Sequence, residues 1–336
     1  MLKKLCITEF IAKKQELPLI DVRSPVEFHK GHITGAVNVA LFSDEERAAI
    51  GIKYKNESQA TAIDLGLDFA VPKIEHFINR ANKIAPHKKV LLYCARGGMR
   101  SYSFAKLLVK ANFKEVYILE NGYKAFRKYA LDRFDDKAEI IILGGMTGSG
   151  KTDILKQIAE HGEQVLDLEK LSCHKGSAFG WLGQGEQPTC QQFENDIFEK
   201  WHKFDFSKRI WFENESRKIG KVIIPAPLFQ KILNSKLIEL VVGKEIRAKR
   251  LVNEYAHFDK ALLKEAVMKI KNRLGEQNAK QVLMALEKED YKQAVQMVLV
   301  YYDKSYKHGM SKRDNDNIVY LPYDHASGVQ DIISRA

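Results

Sequence analysis

VLLYCARGGMRSYSFAKLLVK, residues 90–110, reads as an apolar strand, a short loop with two glycines and a segment whose apolar residues recur at helical spacing. Cys94 therefore lies where a strand is followed by the N-terminus of a helix. The backbone N–H groups of residues 95–99 can face into the loop, because glycine permits the required backbone angles and the helix dipole adds positive potential. This arrangement predicts a site for an anion in contact with the sulfur.

Positive charge in the same loop favours a reactive cysteine. Arginines two and six residues after Cys94 favour its thiolate form. A buried structural cysteine at the end of a strand is the alternative, and it is the commoner role of cysteine. The glycines and arginines favour the first interpretation, so Cys94 is predicted to be a nucleophile. Its predicted anion-binding support consists of Arg96, Gly97, Gly98, Arg100 and Ser101.

Length and composition indicate two globular domains. The 336 residues carry a formal net charge of +11, which suits a partner rich in phosphate. The four cysteines show no CxxC pairing, which favours reduced thiols in the cytoplasm. The N-terminal apolar run is too short for a signal peptide, and no stretch reaches the ~18 apolar residues of a membrane span. The expected location is cytoplasmic, with no membrane association.

Strands alternate with helices over the first 130 residues. An apolar strand over 17–22 precedes Ser24 and Pro25, a cap and first-turn pair that begins a helix. A glycine-rich turn over 31–35 then leads to another strand, and Ser43 begins a further helix. A helix over 72–85 and a strand over 116–119 are also predicted. This alternation predicts a mostly parallel sheet, with ligand sites at the carboxyl ends of its strands, where Cys94 lies.

A phosphate-binding loop follows a charged connector at 133–137. GMTGSGKT, residues 145–152, matches G-x4-G-K-T, with a buried strand (138–143) before it and a helix (153–161) after it. The backbone N–H groups of such a loop surround a diphosphate, while its lysine neutralises charge and its threonine can hold Mg²⁺. The predicted diphosphate-binding residues are Gly145, Gly148, Ser149, Gly150, Lys151 and Thr152.

Acidic residues at two strand ends are candidates for a magnesium ligand or an acid. Glu213 and Glu215 follow an apolar strand that begins at Arg209, and Asp167 at the end of the strand 165–168 is their competitor. Each could instead be a solvated strand end. The sequence assigns no certain metal site, although Mg²⁺ is a candidate ligand. No tightly bound cofactor is predicted.

The C-terminal third is predicted to be helical, over 259–274, 277–286 and 291–307, and it is basic. Charged helix faces are usually only solvated, but the net charge favours contacts with RNA phosphates. The candidates for tRNA contact are Arg217, Lys244, Arg247, Lys249, Arg250, Lys271 and Arg273. The aromatic segment 179–212 holds all three tryptophans and is interpreted mainly as core, although some of its rings could line an apolar channel beside the diphosphate.

Three segments of the N-terminal part resemble a rhodanese domain: DVRSPVEFHKGHITGAVNV (21–39), the cysteine loop, and NGYKAF (121–126). The loop departs from the usual sulfurtransferase pattern because it is one residue longer. Its Cys-x5-Arg-Ser spacing is similar to that of tyrosine and dual-specificity phosphatases. A phosphatase is therefore an alternative for this part of the chain.

Further segments extend the resemblance to the whole chain. They are ERAAIGIKYK (46–55), SCHKGSAFG (172–180), QPTCQQFE (187–194), ENESRKIG (213–220) and YYDKSY (301–306). With them, the chain resembles the tRNA 2-selenouridine synthase family. The resemblance implies an α/β fold: a rhodanese-like parallel-sheet domain (1–134) followed by a P-loop NTPase-like α/β domain with a helical, basic C-terminal part (138–336).

The same resemblance implies the substrates and the reaction. The substrate would be tRNA, bound at an anticodon stem-loop whose wobble position carries 2-thiouridine. Geranyl diphosphate would first S-geranylate this base, and selenium from selenophosphate would then replace the geranylthio group. Cys94 would accept selenium as a perselenide, which is the favoured hypothesis from the sequence, or would help to hold selenophosphate. An enzyme that supplies selenophosphate is a candidate partner.

Two other functions fit parts of the sequence. One is a P-loop kinase fused to a Cys-x5-Arg phosphatase, in which the loop at 145–152 binds a nucleotide and Cys94 cleaves phosphate esters. The other is a non-catalytic tRNA-binding sulfur carrier. The motifs of the second domain favour the synthase over both.

Overall fold

Two parallel sheets, one in each half of the chain, organise the protein. The computed structural model describes residues 1–311, 313, 315–323 and 328–336. One unit comprises Met1–Arg133 together with Glu194–Asp196, and the other comprises Phe134–Phe193 and Ile197–Ala336.

The first unit alternates strands and helices along the chain. Its elements are β1 (Leu2–Leu5), α1 (Ile7–Lys13), β2 (Leu19–Asp21), α2 (Pro25–Lys30), β3 (Val37–Asn38), α3 (Asp44–Asn56), α4 (Gln59–Ala70), α5 (Ile74–Ile84), β4 (Lys89–Tyr93), α6 (Met99–Lys110), β5 (Glu115–Leu119) and α7 (Gly122–Asp132). Short 3₁₀ turns lie at Val71–Lys73 and Arg133–Asp135.

The strands of this unit form a five-stranded sheet in the order β1-β5-β4-β2-β3, with every pair parallel. β4 is the central strand, and its residues are almost completely buried, as expected for a parallel sheet covered on both faces. The helix starts follow the predicted capping residues. Ser43 accepts a hydrogen bond from the backbone N–H of Glu46, and Pro25 occupies the first position of α2.

The second unit begins with the strand that precedes the phosphate loop. Its elements are β6 (Ile140–Gly145), α8 (Lys151–Glu160), β7 (Gln164–Leu166), α9 (Leu168–Ser172), α10 (Cys190–Trp201), β8 (Ile210–Glu213), β9 (Lys218–Ile219), β10 (Val222–Ile223), α11 (Ala226–Asn234), β11 (Lys236–Val241), α12 (Lys244–Tyr255), α13 (Lys260–Leu274), α14 (Glu276–Glu287), α15 (Tyr291–Met310), β12 (Ile318–Pro322) and α16 (Val329–Ser334). A 3₁₀ turn covers Asn315–Asn317.

Its main sheet is also parallel, with the order β12-β11-β6-β8-β7, and β9 pairs with β10 in a separate antiparallel ribbon. β6 is the central strand. Helices α13, α14 and α15 form a separate apolar cluster. Helix α12 packs against α15 through a second, smaller cluster. Among the described residues, no helix has both the length and the hydrophobicity that crossing a bilayer requires.

The predicted fold class is confirmed: both units are α/β with parallel sheets, and helices follow the P-loop sheet. The helix predicted over 259–274 is α13, and the one predicted over 291–307 is α15, which continues to Met310. Helix α4 and strands β11 and β12 were not predicted. Among the described residues, strand β12 pairs with β11 alone, so it depends on a contact between distant parts of the chain.

A buried ion pair stabilises the first unit beside β2. The Asp21 and Arg23 side chains are 0% and 4% exposed, and Arg23 Nη2 lies 2.6 Å from Asp21 Oδ2. The guanidinium also donates to the carbonyl of Gly31 at 2.7 Å and lies 3.8 Å from the centre of the Tyr123 ring. Together these contacts offset the free-energy cost of burying the charged guanidinium of Arg23.

We expect Arg23→Ala to destabilise the first unit by about 3–5 kcal/mol, because it leaves the Asp21 carboxylate buried without its partner. Amide hydrogen exchange in β4, followed by mass spectrometry, measures the free energy of opening. The control is Lys53→Ala, which removes an exposed pair with Glu57 and should cost less than about 1 kcal/mol. Equal effects of the two substitutions would contradict this assignment.

Candidate functional site

The cysteine loop leaves the carboxyl end of β4 and enters α6. Its backbone is fixed by the turn that begins α7. The N–H of Tyr123 donates to the carbonyl of Cys94 at 2.8 Å, and the N–H of Lys124 donates to that of Ala95 at 3.0 Å. These bonds hold the first part of the loop against the start of α7.

Two glycines make this close approach sterically feasible. Gly97 and Gly122 have φ values of +61° and +57°. A Cβ at Gly122 would lie 2.2 Å from the carbonyl oxygen of Cys94, and one at Gly97 would lie 2.7 Å from the carbonyl oxygen of Leu119. By contrast, Gly98 has a φ of −95°, and a Cβ there would meet nothing within 4 Å. The loop therefore requires glycine at 97 and 122 but not at 98.

The sulfur of Cys94 lies beneath this loop. The residue is 3% exposed, and the hydroxyl of Ser101 lies 3.2 Å from Sγ. Arg96 is exposed. Arg100 forms an ion pair with Glu27, with Nη1 2.6 Å from Oε2. Burial would raise the pKa of Glu27, but hydrogen bonding to Arg100 and its charge outweigh this and lower that pKa. Glu27 thus offsets much of the charge that Arg100 contributes to the loop.

The phosphate loop connects β6 to α8 in the second unit. Lys151 Nζ donates to the carbonyl of Gly145 at 2.9 Å and lies 3.5 Å from Glu213 Oε1. Ser149 is fully buried, and its hydroxyl has no hydrogen-bond partner among the described residues. A bound phosphate would supply the acceptor that this hydroxyl lacks.

A carboxylate trio lies beside this loop: Glu169, Glu213 and Glu215. One oxygen from each lies within 4.8 Å of the other two. The Thr152 hydroxyl donates to Glu169 Oε2 at 3.2 Å. The trio therefore adjoins Lys151 and Thr152, two of the polar side chains of the motif.

Crowding of negative charge shifts the protonation of this group. Burial, together with the other two carboxylates, raises the pKa of Glu169 to about 9. Burial and the charge of Glu213 raise the pKa of Glu215 to about 8. Burial also raises the pKa of Glu213, although Lys151 opposes it. For Lys151 itself, burial would lower the pKa, but the carboxylates outweigh it and raise the pKa. One lysine does not compensate three carboxylates in this site.

Asp167 is not part of the trio. Its carboxylate accepts the backbone N–H of Lys170 at 2.8 Å and so caps α9. Glu169 was not predicted from the sequence; it lies two residues later, in the first turn of that helix, and is 7% exposed. Its position after a strand end was the available signal, but only the fold brings it to Thr152.

The basic residues considered for tRNA contact fall into different environments. Arg247 is 3% exposed, donates to the carbonyl of Thr147 at 3.1 Å and pairs with Asp303 at 2.8 Å. It therefore holds the phosphate loop and is not available at the surface. Arg250 also lies at this loop, because a Cβ on Gly150 would come within 1.6 Å of its Nη1. The remaining candidates are exposed or partly exposed: Arg217, Lys244, Lys249, Lys271 and Arg273.

A tyrosine from the C-terminal helices supports the start of the loop. The N–H of Gly145 donates to the Tyr306 hydroxyl at 2.8 Å, and that hydroxyl donates to Glu239 Oε2 at 2.6 Å. Burial raises the pKa of Glu239, although its bond to Tyr306 opposes this. Tyr306 ends the YYDKSY segment that contributed to the resemblance. Its hydroxyl thus links α15 to both β6 and β11.

Comparison with known proteins identifies relatives of both units. The family model described as the tRNA 2-selenouridine synthase AAA domain matches residues 138–334, and the rhodanese-like domain model matches residues 7–129. The tRNA 2-selenouridine synthase of Sulfurovum sp. (strain NBC37-1) is 37% identical over 293 residues, covering 80% of this chain and 79% of that protein. That of Shewanella woodyi is 33% identical over 334 residues, covering 88% of this chain and 89% of that protein.

Solved structures match part of the chain. One of them is the N-terminal domain of a putative ATP/GTP binding protein from Clostridium difficile 630, with 34% identity and a TM-score of 0.35. The match covers 38% of this chain and 98% of that one.

We expect Gly122→Ala to disrupt the cysteine loop, because the new methyl group would collide with the carbonyl of Cys94 and the residue would keep a positive φ. The amide of Tyr123, which donates to that carbonyl, should exchange at least about tenfold faster. Gly98→Ala is the matched control and should leave the exchange rate unchanged. A similar rate in both variants would show that the loop tolerates a side chain at 122.

Proposed function

The chain belongs to the tRNA 2-selenouridine synthase family and is an enzyme of tRNA modification, and we propose that it converts wobble 2-thiouridine to 2-selenouridine in two steps. In the first, geranyl diphosphate alkylates the sulfur of the base. In the second, selenium from selenophosphate replaces the geranylthio group. The anticodon stem-loop of tRNA would present the base to both sites.

The observation that carries this proposal is that two loops at the carboxyl ends of central parallel strands have different chemical neighbours. One follows β4 and lies over the Cys94 thiol, and the other follows β6 and contains Lys151 beside the carboxylate trio. The proposed reaction uses two phosphate-bearing donors, one for each step. Each loop then serves one donor.

The first step is an alkyl transfer at the phosphate loop. The sulfur of the base forms a bond to the allylic carbon as the carbon–oxygen bond to the diphosphate breaks. Negative charge develops on the leaving diphosphate, and Lys151 together with the loop N–H groups would stabilise it. Arg250, which lies against Gly150 with its Nη1 3.5 Å from Asp153 Oδ2, would add a further positive charge.

The second step is an exchange at the base. Selenium adds to the carbon that carries the geranylthio group, and geranylthiol leaves with a proton. If Cys94 holds selenophosphate, hydrolysis of the phosphorus–selenium bond completes this step without oxidation. A perselenide on Cys94 would instead require an external two-electron oxidant, because sulfur and selenium both start fully reduced. We therefore favour the holding role over the perselenide.

Mg²⁺ fits the donor set at the phosphate loop. Carboxylate oxygens are the ligands that hard divalent cations prefer, and a cation would relieve the repulsion within the trio. Glu169, Glu213 and Glu215 would hold it, with Thr152 beside them. When bound, the ion would neutralise charge on the departing diphosphate.

The proposed cellular location and the proposed partner enzyme follow from the substrates. A tRNA substrate places the enzyme in the cytoplasm, and selenophosphate requires an enzyme that supplies it. The exposed basic residues Arg217, Lys244 and Lys249 are candidates for contacts with tRNA phosphates.

We expect Cys94 and Lys151 variants to block different steps. With 2-thiouridine tRNA, Lys151→Ala should abolish geranylation, because it removes the charge opposite the diphosphate. Cys94→Ser and Cys94→Ala should retain geranylation and lose selenation by at least about tenfold. Mass spectrometry of the wobble nucleoside, with and without selenophosphate, measures both products.

The two cysteine variants also separate the roles of Cys94. A holding role predicts more selenation with serine than with alanine, whereas a perselenide predicts none with either. Cys190→Ser, at an exposed cysteine, is the control. Loss of both steps in a folded Cys94 variant would contradict the division of labour. An unmodified nucleoside with the wild-type protein would redirect the search to nucleotide turnover.

We expect Glu213→Gln to weaken Mg²⁺ binding at least about tenfold, because it removes one charged ligand of the trio. Isothermal titration calorimetry in the presence of inorganic diphosphate measures the affinity. Asp167→Asn is the matched control, since asparagine keeps the helix cap and the residue lies outside the trio. Equal losses in the two variants would place the ion elsewhere.

A further inference from the structure

An apolar cavity lies among the C-terminal helices next to the phosphate loop. It has a volume of about 600 Å³, counting the solvent space at its open side. Helices α12 to α15 supply most of its walls. No charged side chain is among the described residues that line it.

The cavity adjoins the phosphate loop itself. Thr147, a loop residue, forms part of the wall, and so does Leu251 of α12. The loop rests directly on this helix: a Cβ at Gly148 would lie 2.9 Å from both Leu251 Cγ and the carbonyl of Arg247. If the phosphates of a ligand occupy the loop, the atoms bonded next to those phosphates would therefore lie beside the cavity.

Another part of the cavity wall comes from α14. Val282 and Leu286 of this helix contribute to the wall. Helix α14 packs against α13 and α15, whereas α12 packs against α15, so α14 is the layer remote from the phosphate loop. The cavity thus connects two apolar clusters, one containing Leu251 and the other containing Val282.

The chemistry of the walls selects the kind of ligand. A nucleotide would place a polar sugar and base next to the loop, and both would need hydrogen-bond partners. The polar groups on the walls are few, and one of them is occupied, because the Tyr302 hydroxyl already accepts the N–H of Ala178 at 3.0 Å. A hydrocarbon chain has no such requirement and gains free energy from burial.

We propose that this cavity, the tail pocket, holds the hydrocarbon chain of a diphosphate ester bound at the phosphate loop, and that Val282 and Leu286 limit the length of that chain. The inference rests on the proposed function for the use of geranyl diphosphate. It adds the location of the chain and the residues that select its length. Only Phe179 of the aromatic segment 179–212 lines the pocket, and no tryptophan is among its described lining residues.

The test compares diphosphates with tails of different length, in the absence of tRNA. Inorganic diphosphate, dimethylallyl diphosphate, geranyl diphosphate and farnesyl diphosphate are titrated into the full-length protein by calorimetry with Mg²⁺ present. Wild-type protein should bind geranyl diphosphate at least about 100-fold more tightly than inorganic diphosphate, because the pocket buries most of the chain.

Substitutions at the remote end should change the preferred length. Val282→Trp fills that end and should weaken the binding of geranyl diphosphate at least about tenfold. The affinities for inorganic diphosphate and dimethylallyl diphosphate should be unchanged. Val282→Ala lengthens the pocket and should improve binding of farnesyl diphosphate relative to geranyl diphosphate. Met284→Trp is the control, because Met284 is on the same helix, is 59% exposed and does not line the pocket.

The outcomes separate this inference from the proposed function. If wild-type protein geranylates tRNA but both Val282 variants keep the wild-type length preference, the tail pocket is wrong and the proposed function stands. If it binds geranyl diphosphate tightly but does not geranylate tRNA, the pocket stands and the proposed reaction fails. If Val282→Trp does not fold, the length preference of Val282→Ala decides. Equal affinity of wild-type protein for inorganic and geranyl diphosphate overturns the pocket.

Discussion

The backbone of each central strand leaves its sheet through a turn in which only glycine fits. In the first unit, a Cβ at Gly97 would lie 2.7 Å from the carbonyl oxygen of Leu119, and in the second, one at Gly145 would lie 2.5 Å from the hydroxyl of Ser149. Parallel strands direct their carboxyl ends to the same edge, and the N-terminus of the next helix then faces that edge. Both sites depend on this constraint.

The two loops differ in the charges that surround them. At the cysteine loop, Arg100 is paired with Glu27, so the backbone and Arg96 remain as sources of positive potential. At the phosphate loop, Lys151 lies beside a trio of carboxylates whose pKa values are raised by burial. This excess of carboxylates suits a site that works with a divalent cation and an anionic leaving group. The first loop suits a smaller anion against a thiol.

The helices after the second sheet serve the phosphate loop in two ways. Arg247 and Tyr306 hold its backbone from α12 and α15, through bonds to Thr147 and Gly145. The same helices enclose the tail pocket. A polar loop and an apolar cavity are thus built on common supports, an arrangement that suits a ligand with a charged head and a hydrocarbon tail.

The sequence by itself determined the fold class and both loops, because glycine spacing, capping residues and the strand–loop–helix order are local features. It also identified Glu213 and Glu215, which follow a recognisable apolar strand. Only the tertiary structure added Glu169 and separated Asp167 from the trio, because these roles depend on which strand ends are neighbours in the sheet. It likewise assigned Arg247 to the phosphate loop instead of the surface, and it formed the tail pocket from helices distant in sequence. The spacing of apolar residues along one helix shows which face of that helix is buried, but not which other helix packs against that face.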